Sequence, residues 1–316
     1  MSPVKVDRDT ALAKELLRTF DDLNGSQPGF RPVHAKGILL AGLFTPSSAA
    51  RSLTRAPHVQ RDSTPVWVRF SNFAGIPTVP DNDPNASPRG MAIRFHLAEH
   101  VHTDIIAHSV DAFPVRTAEE FVEFLHAVHE SGPGARKPTP VEQFLGTHLA
   151  ALEFVQAPKP MPTSFAKAAF YAITAYRFTN SEGASRYGRY RIRPDGNTDY
   201  LDSAAEAKAE PNFLFDEIKE RLARGPVKMH IAVQLAASED VVNDSTVHWP
   251  QDRPEIDFGS VELTNAIPDN GEEQRHIIFD PIPRVDGIES SDDPLLDPRA
   301  TVYLMSGRRR RSATPR

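Results

Sequence analysis

The sequence predicts an α+β fold in which antiparallel strands form the main sheet. Two sets of about four strand-like segments lie on either side of a group of helices, an order that fits an α+β fold better than the βαβ alternation of parallel sheets. Prolines, 28 of them against 17 glycines, fall mainly between the periodic segments and mark many short elements. The 316 residues are 40% hydrophobic and 25% charged, which is typical of a globular chain with a large core. The length is compatible with one large domain.

The charge balance and the absence of cysteine exclude several classes of function. With 36 basic and 42 acidic residues the formal charge is −6, which gives no electrostatic footprint for nucleic acid or an anionic membrane. The chain contains no cysteine, which excludes disulfides, thiolate nucleophiles and iron–sulfur clusters. Any cofactor must therefore be held by His, Tyr, carboxylate or Arg. No apolar run predicts a signal peptide or a membrane span, and we expect a cytoplasmic protein.

The first half of the chain is predicted to contain one helix, then strands, then a second helix. Apolar residues at helical spacing predict a helix over 8–23, which Asn24 and Gly25 end. A capping box formed by Thr117 and Glu120, with an apolar stripe after it, predicts a helix over 117–130. Between these helices, strands are predicted over 36–44, 65–71, 90–97 and 104–109.

The second half is predicted to contain the remaining helices and the second set of strands. Helices are expected over 140–154, 163–173 and 211–224, with a closing helix at about 294–311. Strands are expected over 174–180, 185–194, 227–236 and 259–266.

Two segments near the start of the sheet carry residues capable of chemistry. His34 directly precedes the first strand, and histidine suits proton transfer near neutral pH, although a lone histidine is more often structural. In the strand PVWVRFS the alternation puts Arg69 and Ser71 on one face and Val66, Val68 and Phe70 on the other. A face pointing to solvent is an equally good interpretation of that strand taken alone.

The closing helix places cations around a tyrosine. Arg299 precedes Tyr303 by four residues and Arg310 follows it by seven, so all three lie on one helical face. A phenol has a pKa near 10 and binds a metal as phenolate only where positive charge or the metal lowers that value. Tyrosine is a known axial ligand of haem iron, and an arginine on the same face could pair with a haem propionate. The alternative is a basic tail after an ordinary core tyrosine.

Four stretches of the chain resemble the haem catalases. FRPVHAKG, WVRFS, SPRGMAIRF and DPLLDPRATVYLMSGRRRR occur in the order and approximate spacing of that family, over roughly residues 30–311. The chain resembles in particular the short, single-domain catalase-related peroxidases. The resemblance implies a catalase-like, eight-stranded antiparallel β-barrel with flanking helices and haem b between the barrel and the C-terminal helix. It divides the chain into an N-terminal helix at 1–25 and a single haem-binding domain at 26–316.

The resemblance also implies roles for individual residues on the two sides of the haem. His34 corresponds to the distal histidine, which moves a proton between the two peroxide oxygens, and Ser71 to the serine that orients its ring. Tyr303 corresponds to the proximal ligand of the haem iron, and Arg299 to the arginine that keeps this phenol anionic.

Four further positions are implied at the edges of the haem. Arg31, Arg69 and Arg310 correspond to the arginines around the propionates, although Arg310 is only the best placed of the four arginines in GRRRR. Val33 corresponds to the valine that narrows the distal channel.

The chain departs from the catalase pattern on the distal side. Catalases have an asparagine beside the distal histidine, whereas residues 104–111 read DIIAHSVD. Either His108 or Ser109 occupies the asparagine position, and His108 is our candidate for a catalytic residue there. We expect no counterpart of the flavodoxin-like domain of larger catalases, and nothing in the sequence supports a bound NADPH.

The function expected from the resemblance is that of a haem-dependent peroxidase. It would use hydrogen peroxide or organic peroxides to oxidise small organic donors, with weak catalase activity. Two alternatives stay open: an enzyme that transforms lipid hydroperoxides, and a non-catalytic haem sensor or carrier. We expect a small homo-oligomer, a dimer, with no nucleic-acid or membrane partner.

Overall fold

Eight antiparallel strands close into a barrel. The structure is a computed structural model that describes residues 3–314, so positions 1–2 and 315–316 of the two predicted domains lie outside the described residues. The barrel strands are β1 (Gly37–Pro46), β2 (Thr64–Ser71), β3 (Gly90–Ala98), β4 (Val101–His108), β5 (Phe170–Tyr171), β7 (Ser185–Pro194), β8 (Val227–Leu235) and β9 (Glu255–Ala266).

Around the barrel the order of the strands is β7, β5, β4, β3, β2, β1, β9 and β8, and pairing of β7 with β8 closes the ring. Two more strands, β6 (Tyr176–Thr179) and β10 (Ile288–Ser290), extend the sheet beside β7. The predicted fold class is confirmed.

Helices pack around the barrel. They are α1 (Pro3–Asn24), α2 (Ser48–Leu53), α3 (Ala118–Glu130), α4 (Pro140–Thr147), α5 (Leu149–Gln156), α6 (Ser203–Glu206), α7 (Phe213–Arg224), α8 (Asn270–His276) and α9 (Leu296–Ser312). The predicted capping box of α3 is present, with Thr117 accepting from the backbone N–H of Glu120. The predicted helix over 140–154 is two helices, which meet at His148. No helix in residues 3–314 is long and apolar enough to cross a membrane.

The predicted helix over 163–173 is wrong. Residues Phe165–Lys167 form a single 3₁₀ turn, capped by the Ser164 hydroxyl, and Phe170–Tyr171 form β5. β5 fills the position between β4 and β7, where Tyr171 pairs with His108 on one side and Arg191 on the other. Barrel closure therefore overrides the helical propensity of this alanine-rich segment.

The strand alternation separates the barrel interior from its outer face. Val66, Val68 and Phe70 point into the main core with exposures of 1% or less. Outside the barrel, Tyr303 of α9 packs against an apolar cluster that includes Leu39 of β1. α1 packs on both α9 and α3, and its residues form a second apolar cluster with those of α3. A cavity is left between the outer barrel face and this layer of helices.

Candidate functional site

One largely apolar cavity collects every residue that the sequence singles out for chemistry. It lies between the barrel strands β2–β4, the segment before β1, and helices α1, α3 and α9. The predicted residues that line it are Arg31, Val33, His34, Arg69, Ser71, His108, Arg299, Tyr303 and Arg310. Their roles stay predictions, but their assembly in one cavity is a property of the structure.

His34 is held in a strained backbone conformation beside Ser71. Its φ is +58°, a region that residues other than glycine adopt only where their surroundings force it. The backbone N–H of His34 donates to the Phe73 carbonyl at 2.6 Å, and the Nδ1 atom lies 3.0 Å from the Ser71 hydroxyl. A Cβ atom on Gly90 would lie 2.7 Å from Nδ1, so only glycine fits beneath the ring.

The His34 ring is neutral at physiological pH. Burial lowers its pKa to about 3, and the charges of Arg69 and Arg31 add to this effect. An imidazole with this pKa is a weak base, and its protonated form gives up the proton readily.

His108, and not Ser109, faces the cavity at the end of β4. The Ser109 hydroxyl accepts a hydrogen bond from the backbone N–H of Arg89, and the Ser109 side chain does not line the cavity. The Nδ1 atom of His108 is buried without a hydrogen-bond partner among the described residues. Burial, with a further contribution from Arg299, lowers the pKa of His108 to about 4. A second neutral imidazole thus stands in the same cavity as His34.

Arg299 accompanies Tyr303 on α9, one helical turn away. Its guanidinium donates to the Thr174 hydroxyl at 3.2 Å. Burial alone would lower the pKa of Arg299, but Tyr303 and Tyr176 outweigh that effect and the net change is upward. The guanidinium therefore remains charged beside Tyr303.

Arg31, Arg69 and Arg310 meet at another part of the cavity without an anionic partner. Within the described residues none of the three forms a salt bridge with a carboxylate. Arg31 and Arg310 both donate to the Ile277 carbonyl, at 3.1 and 2.8 Å. Arg69 donates to the Gln274 amide oxygen at 2.7 Å and to the His34 carbonyl at 2.8 Å.

Burial lowers the pKa of all three of these arginines. The pKa is about 9 for Arg69, where Arg310 adds to the effect of burial, and about 10 for Arg310. Mutual repulsion of buried cations is costly unless an anion joins them. The cluster is therefore suited to bind the carboxylates of a ligand.

Sequence reasoning missed several residues that shape the cavity. Aromatic side chains from separate segments form much of the apolar lining: Phe20, Phe73, Phe113, Phe121, Phe154 and Phe279. Gln274, which orients Arg69, was also missed. These residues carry no local motif, and only the helical stripes that contain Phe20 and Phe121 gave a signal that they are buried.

Comparisons with known proteins identify the class. A family model described as Catalase matches residues 14–314. A fungal catalase superposes with a TM-score of 0.80 at 22% identity, covering 93% of this chain and 62% of that one. Catalase A from Saccharomyces cerevisiae gives the same TM-score and identity and is covered to 64%. The chain spans somewhat less than two thirds of these solved catalases, and it belongs to the catalase family.

Within the family, the chain is similar over most of its length to shorter proteins. It is 35% identical over 285 residues to a catalase-related peroxidase of Mycolicibacterium paratuberculosis, with 89% of each chain covered. It is 31% identical over 297 residues to a catalase-related peroxidase of Synechococcus elongatus, with 92% of this chain and 86% of the relative covered. The chain is a peroxide-acting oxidoreductase of this family.

Catalase-family proteins are haem enzymes, and the cavity fits a haem. Tyr303 offers the phenol ligand that iron takes in catalases. The unpaired arginines offer partners for two propionates, and the Nε atom of Arg310 is buried without a partner in the described part of the chain. The apolar lining suits the porphyrin faces.

Proposed function

We propose that this protein is a haem b peroxidase that uses hydrogen peroxide or organic peroxides to oxidise small organic donors, with weak catalase activity. The observation that carries the proposal is the meeting of His34, Ser71 and His108 with the Tyr303–Arg299 pair in one cavity. When bound, haem supplies a redox-active iron that takes the oxidising equivalents of the peroxide.

In this proposal Tyr303 holds the iron and the arginine cluster of Arg31, Arg69 and Arg310 holds the propionates. Arg299 keeps the Tyr303 oxygen anionic, and Val33 narrows the approach to the distal side. Each buried cation then gains an anionic partner, which offsets the cost of its burial.

His34 carries out the proton transfer. Its Nδ1 atom contacts Ser71, which fixes the ring and leaves Nε2 for the peroxide. The neutral ring accepts the proton of one peroxide oxygen and returns it to the departing oxygen as the O–O bond breaks. The depressed pKa of about 3 favours the second of these steps, because an imidazolium that binds its proton weakly transfers it readily.

His108 favours the peroxidase reaction over the catalase reaction. A catalase must hold a second hydrogen peroxide against the distal side, for which the family uses an asparagine amide. The neutral His108 ring is bulkier and has one N–H to donate instead of two. A second peroxide is therefore held poorly, and an organic donor has time to react.

The test compares oxygen evolution with dye oxidation at equal haem content. We expect weak oxygen evolution from hydrogen peroxide and good oxidation of phenolic or aromatic-amine dyes. Oxygen evolution at the level of a large catalase would overturn the peroxidase assignment. Failure of both reactions would favour a haem sensor or carrier, for which the His34–Ser71 pair has no evident use.

The phenylalanine lining favours a second candidate, an enzyme that transforms lipid hydroperoxides. Phe113, Phe121 and Phe154 present apolar surface to any molecule in the cavity. Product analysis separates the two functions: a peroxidase reduces a fatty-acid hydroperoxide to its alcohol at the expense of a donor, whereas the alternative enzyme rearranges it without one. A dimeric state, a cytoplasmic location and the division into 1–25 and 26–316 stay predictions.

A further inference from the structure

A buried carboxylate lies behind the His34 side of the cavity without lining it. Asp81 is completely buried. Its Oδ1 atom accepts from Lys36 Nζ at 2.8 Å and from Asn72 Nδ2 at 2.7 Å. Its Oδ2 atom accepts from the backbone N–H of Leu214 at 2.8 Å, so the carboxylate also caps the first turn of α7. A buried charge with this many donors is held in one place.

Arg89, which directly precedes β3, joins the same network. It donates to the Asp81 carbonyl at 2.5 Å, to the Asn72 amide oxygen at 2.6 Å and to the Ala86 carbonyl at 2.9 Å. The Asn72 amide therefore bridges Arg89 and Asp81, accepting from one and donating to the other.

The members of this network are neighbours in sequence of the residues proposed for proton transfer. Lys36 follows His34 by two residues, and Asn72 follows Ser71 directly. The backbone is tied in the same way, because the Asn72 N–H donates to the Lys36 carbonyl at 3.1 Å. Asp81 thus fastens together the two segments that carry His34 and Ser71.

Arg89 extends the connection to the second histidine. It precedes Gly90, the residue on which the His34 ring rests. Its backbone N–H donates to the Ser109 hydroxyl at 2.9 Å, and its carbonyl accepts from the Ser109 N–H at 2.9 Å. Ser109 directly follows His108, so three segments around the cavity are fixed relative to one carboxylate.

The geometry of His34 requires such support. A histidine at a φ of +58° relaxes to a commoner conformation unless several contacts hold it. The ring packs directly on the backbone of Gly90, where a Cβ atom would lie 2.7 Å from Nδ1. A displacement of about 1 Å in a reacting group costs about 100-fold in rate.

From this arrangement we infer that Asp81 is a positioning residue for the His34–Ser71 pair, acting through Lys36, Asn72 and Arg89. It touches no reacting atom. The inference deepens the proposed function and rests on it for its kinetic consequence, whereas its geometric part concerns the cofactor-free protein as well.

The test replaces Asp81 with asparagine and follows His34 in two ways. Asp81→Asn keeps the shape but removes the negative charge and one of the two acceptor oxygens, so the network of donors is weakened and at least one donor loses its acceptor. In the cofactor-free protein we expect the ¹⁵N signal of His34 Nδ1, assigned by its loss in His34→Ala, to lose the signature of the Ser71 hydrogen bond. In the haem-loaded protein we expect reaction with hydrogen peroxide to slow about 100-fold.

Two further variants separate positioning from general loss of stability. Ile231→Ala opens a hole in the barrel interior, away from the cavity, and serves as a control of comparable instability. Adding Asn72→Asp to Asp81→Asn exchanges the two partners, and we expect it to restore the His34 signal and at least a tenfold part of the lost rate. Should Asp81→Asn fail to fold, Asn72→Ala breaks the link to Ser71 while leaving Lys36 and Leu214 bound to Asp81, and the same loss is expected.

Retention of the His34 signal and rate in Asp81→Asn, or in Asn72→Ala where that variant replaces it, would overturn the inference. So would equal losses in Ile231→Ala. If the parent protein itself did not react with peroxide, the proposed function would fail, and the NMR comparison alone would decide whether Asp81 positions His34.

Discussion

The cavity contains two groups of polar residues that differ in charge state. The histidine group, His34 with Ser71 and His108, is neutral at physiological pH because burial depresses both imidazole pKa values. The arginine group, which comprises Tyr303 with Arg69, Arg299 and Arg310, keeps its guanidinium charges although it is buried. Burial therefore leaves the histidines neutral and the arginines charged, because the ordinary pKa of histidine is near neutral pH and that of arginine is far above it. One group can exchange protons, and the other can only bind anions.

The largest expected effect comes from removing the phenol of the arginine group. Tyr303→Phe removes the proposed iron ligand and should reduce haem bound after reconstitution by more than tenfold, because the propionate contacts alone do not hold the iron. Haem absorbance per mole of protein measures this. Tyr200→Phe, a partly exposed tyrosine that does not line the cavity, is the matched control and should bind haem normally. Full occupancy with an unchanged spectrum in Tyr303→Phe would contradict the ligand assignment.

The next effect should arise in the histidine group and leave haem in place. His34→Ala removes the proton-transfer group, a contribution of about 10²- to 10⁴-fold, and should slow the spectral change on mixing with peroxide by that order. Ser71→Ala removes one neutral hydrogen bond and should cost only about 2- to 13-fold. Stopped-flow absorbance gives both rates. If His34→Ala reacted as fast as the parent protein, the assignment of proton transfer to the histidine group would be wrong.

A third histidine tests whether burial alone, without the arginine group, is enough to keep an imidazole neutral. His58 lies inside the barrel, 4.7 Å from the ring of Phe95, with its Nδ1 atom lacking a partner in the described structure. Burial, with a smaller effect of Arg61, lowers its pKa to about 3. The unfolded chain binds a proton near pH 6.5 and the folded chain only near pH 3, so stability is lost as the pH falls through that interval.

For His58 this amounts to about 2 kcal/mol between pH 7 and pH 5. His58→Leu should remove that part of the pH dependence of unfolding measured with urea on the cofactor-free protein. His34 and His108 contribute in the same direction and remain in the variant. An unchanged pH dependence would show that His58 is protonated inside the folded barrel or that it gains a partner there.

The smallest expected effect concerns the ratio of oxygen evolution to dye oxidation. His108→Asn supplies the amide that catalases use and should raise oxygen evolution relative to dye oxidation by about 2- to 13-fold, the value of one neutral hydrogen bond. His102→Asn is the control, since His102 lies on the same strand but does not line the cavity. If the ratio of oxygen evolution to dye oxidation is the same in both variants as in the parent protein, His108 does not determine which reaction is favoured.

The sequence predicted those parts of the molecule that rest on local patterns. The alternation around Tyr190 predicted β7 with its observed bounds, and the capping box predicted α3. The spacing of Arg299, Tyr303 and Arg310 placed three cavity residues on one helical face. The nine candidate residues were found because two short motifs and one helical spacing carry most of them.

Features formed by residues that lie far apart in the sequence were not predicted. Asp81 contacts residues 45 and 133 positions away, and no local pattern marks it as different from any other aspartate in a turn. The alanines of the segment 163–173 favour a helix, whereas the space between β4 and β7 requires a strand. Which of His108 and Ser109 faces the cavity was not predictable from the sequence, because it depends on the hydrogen bond from the Arg89 backbone N–H to the Ser109 hydroxyl.

The cavity also draws its two sides from parts of the chain that are made at different times. The histidine group lies within residues 34–108, whereas Tyr303, Arg299 and Arg310 belong to α9, which follows every barrel strand. The barrel itself closes only when β9 pairs with β1, more than 200 residues earlier in the chain. Because a domain generally folds as a unit, the barrel and α9 must both be complete before the proposed haem site exists. In the proposed function, haem therefore binds only to a chain that has finished folding.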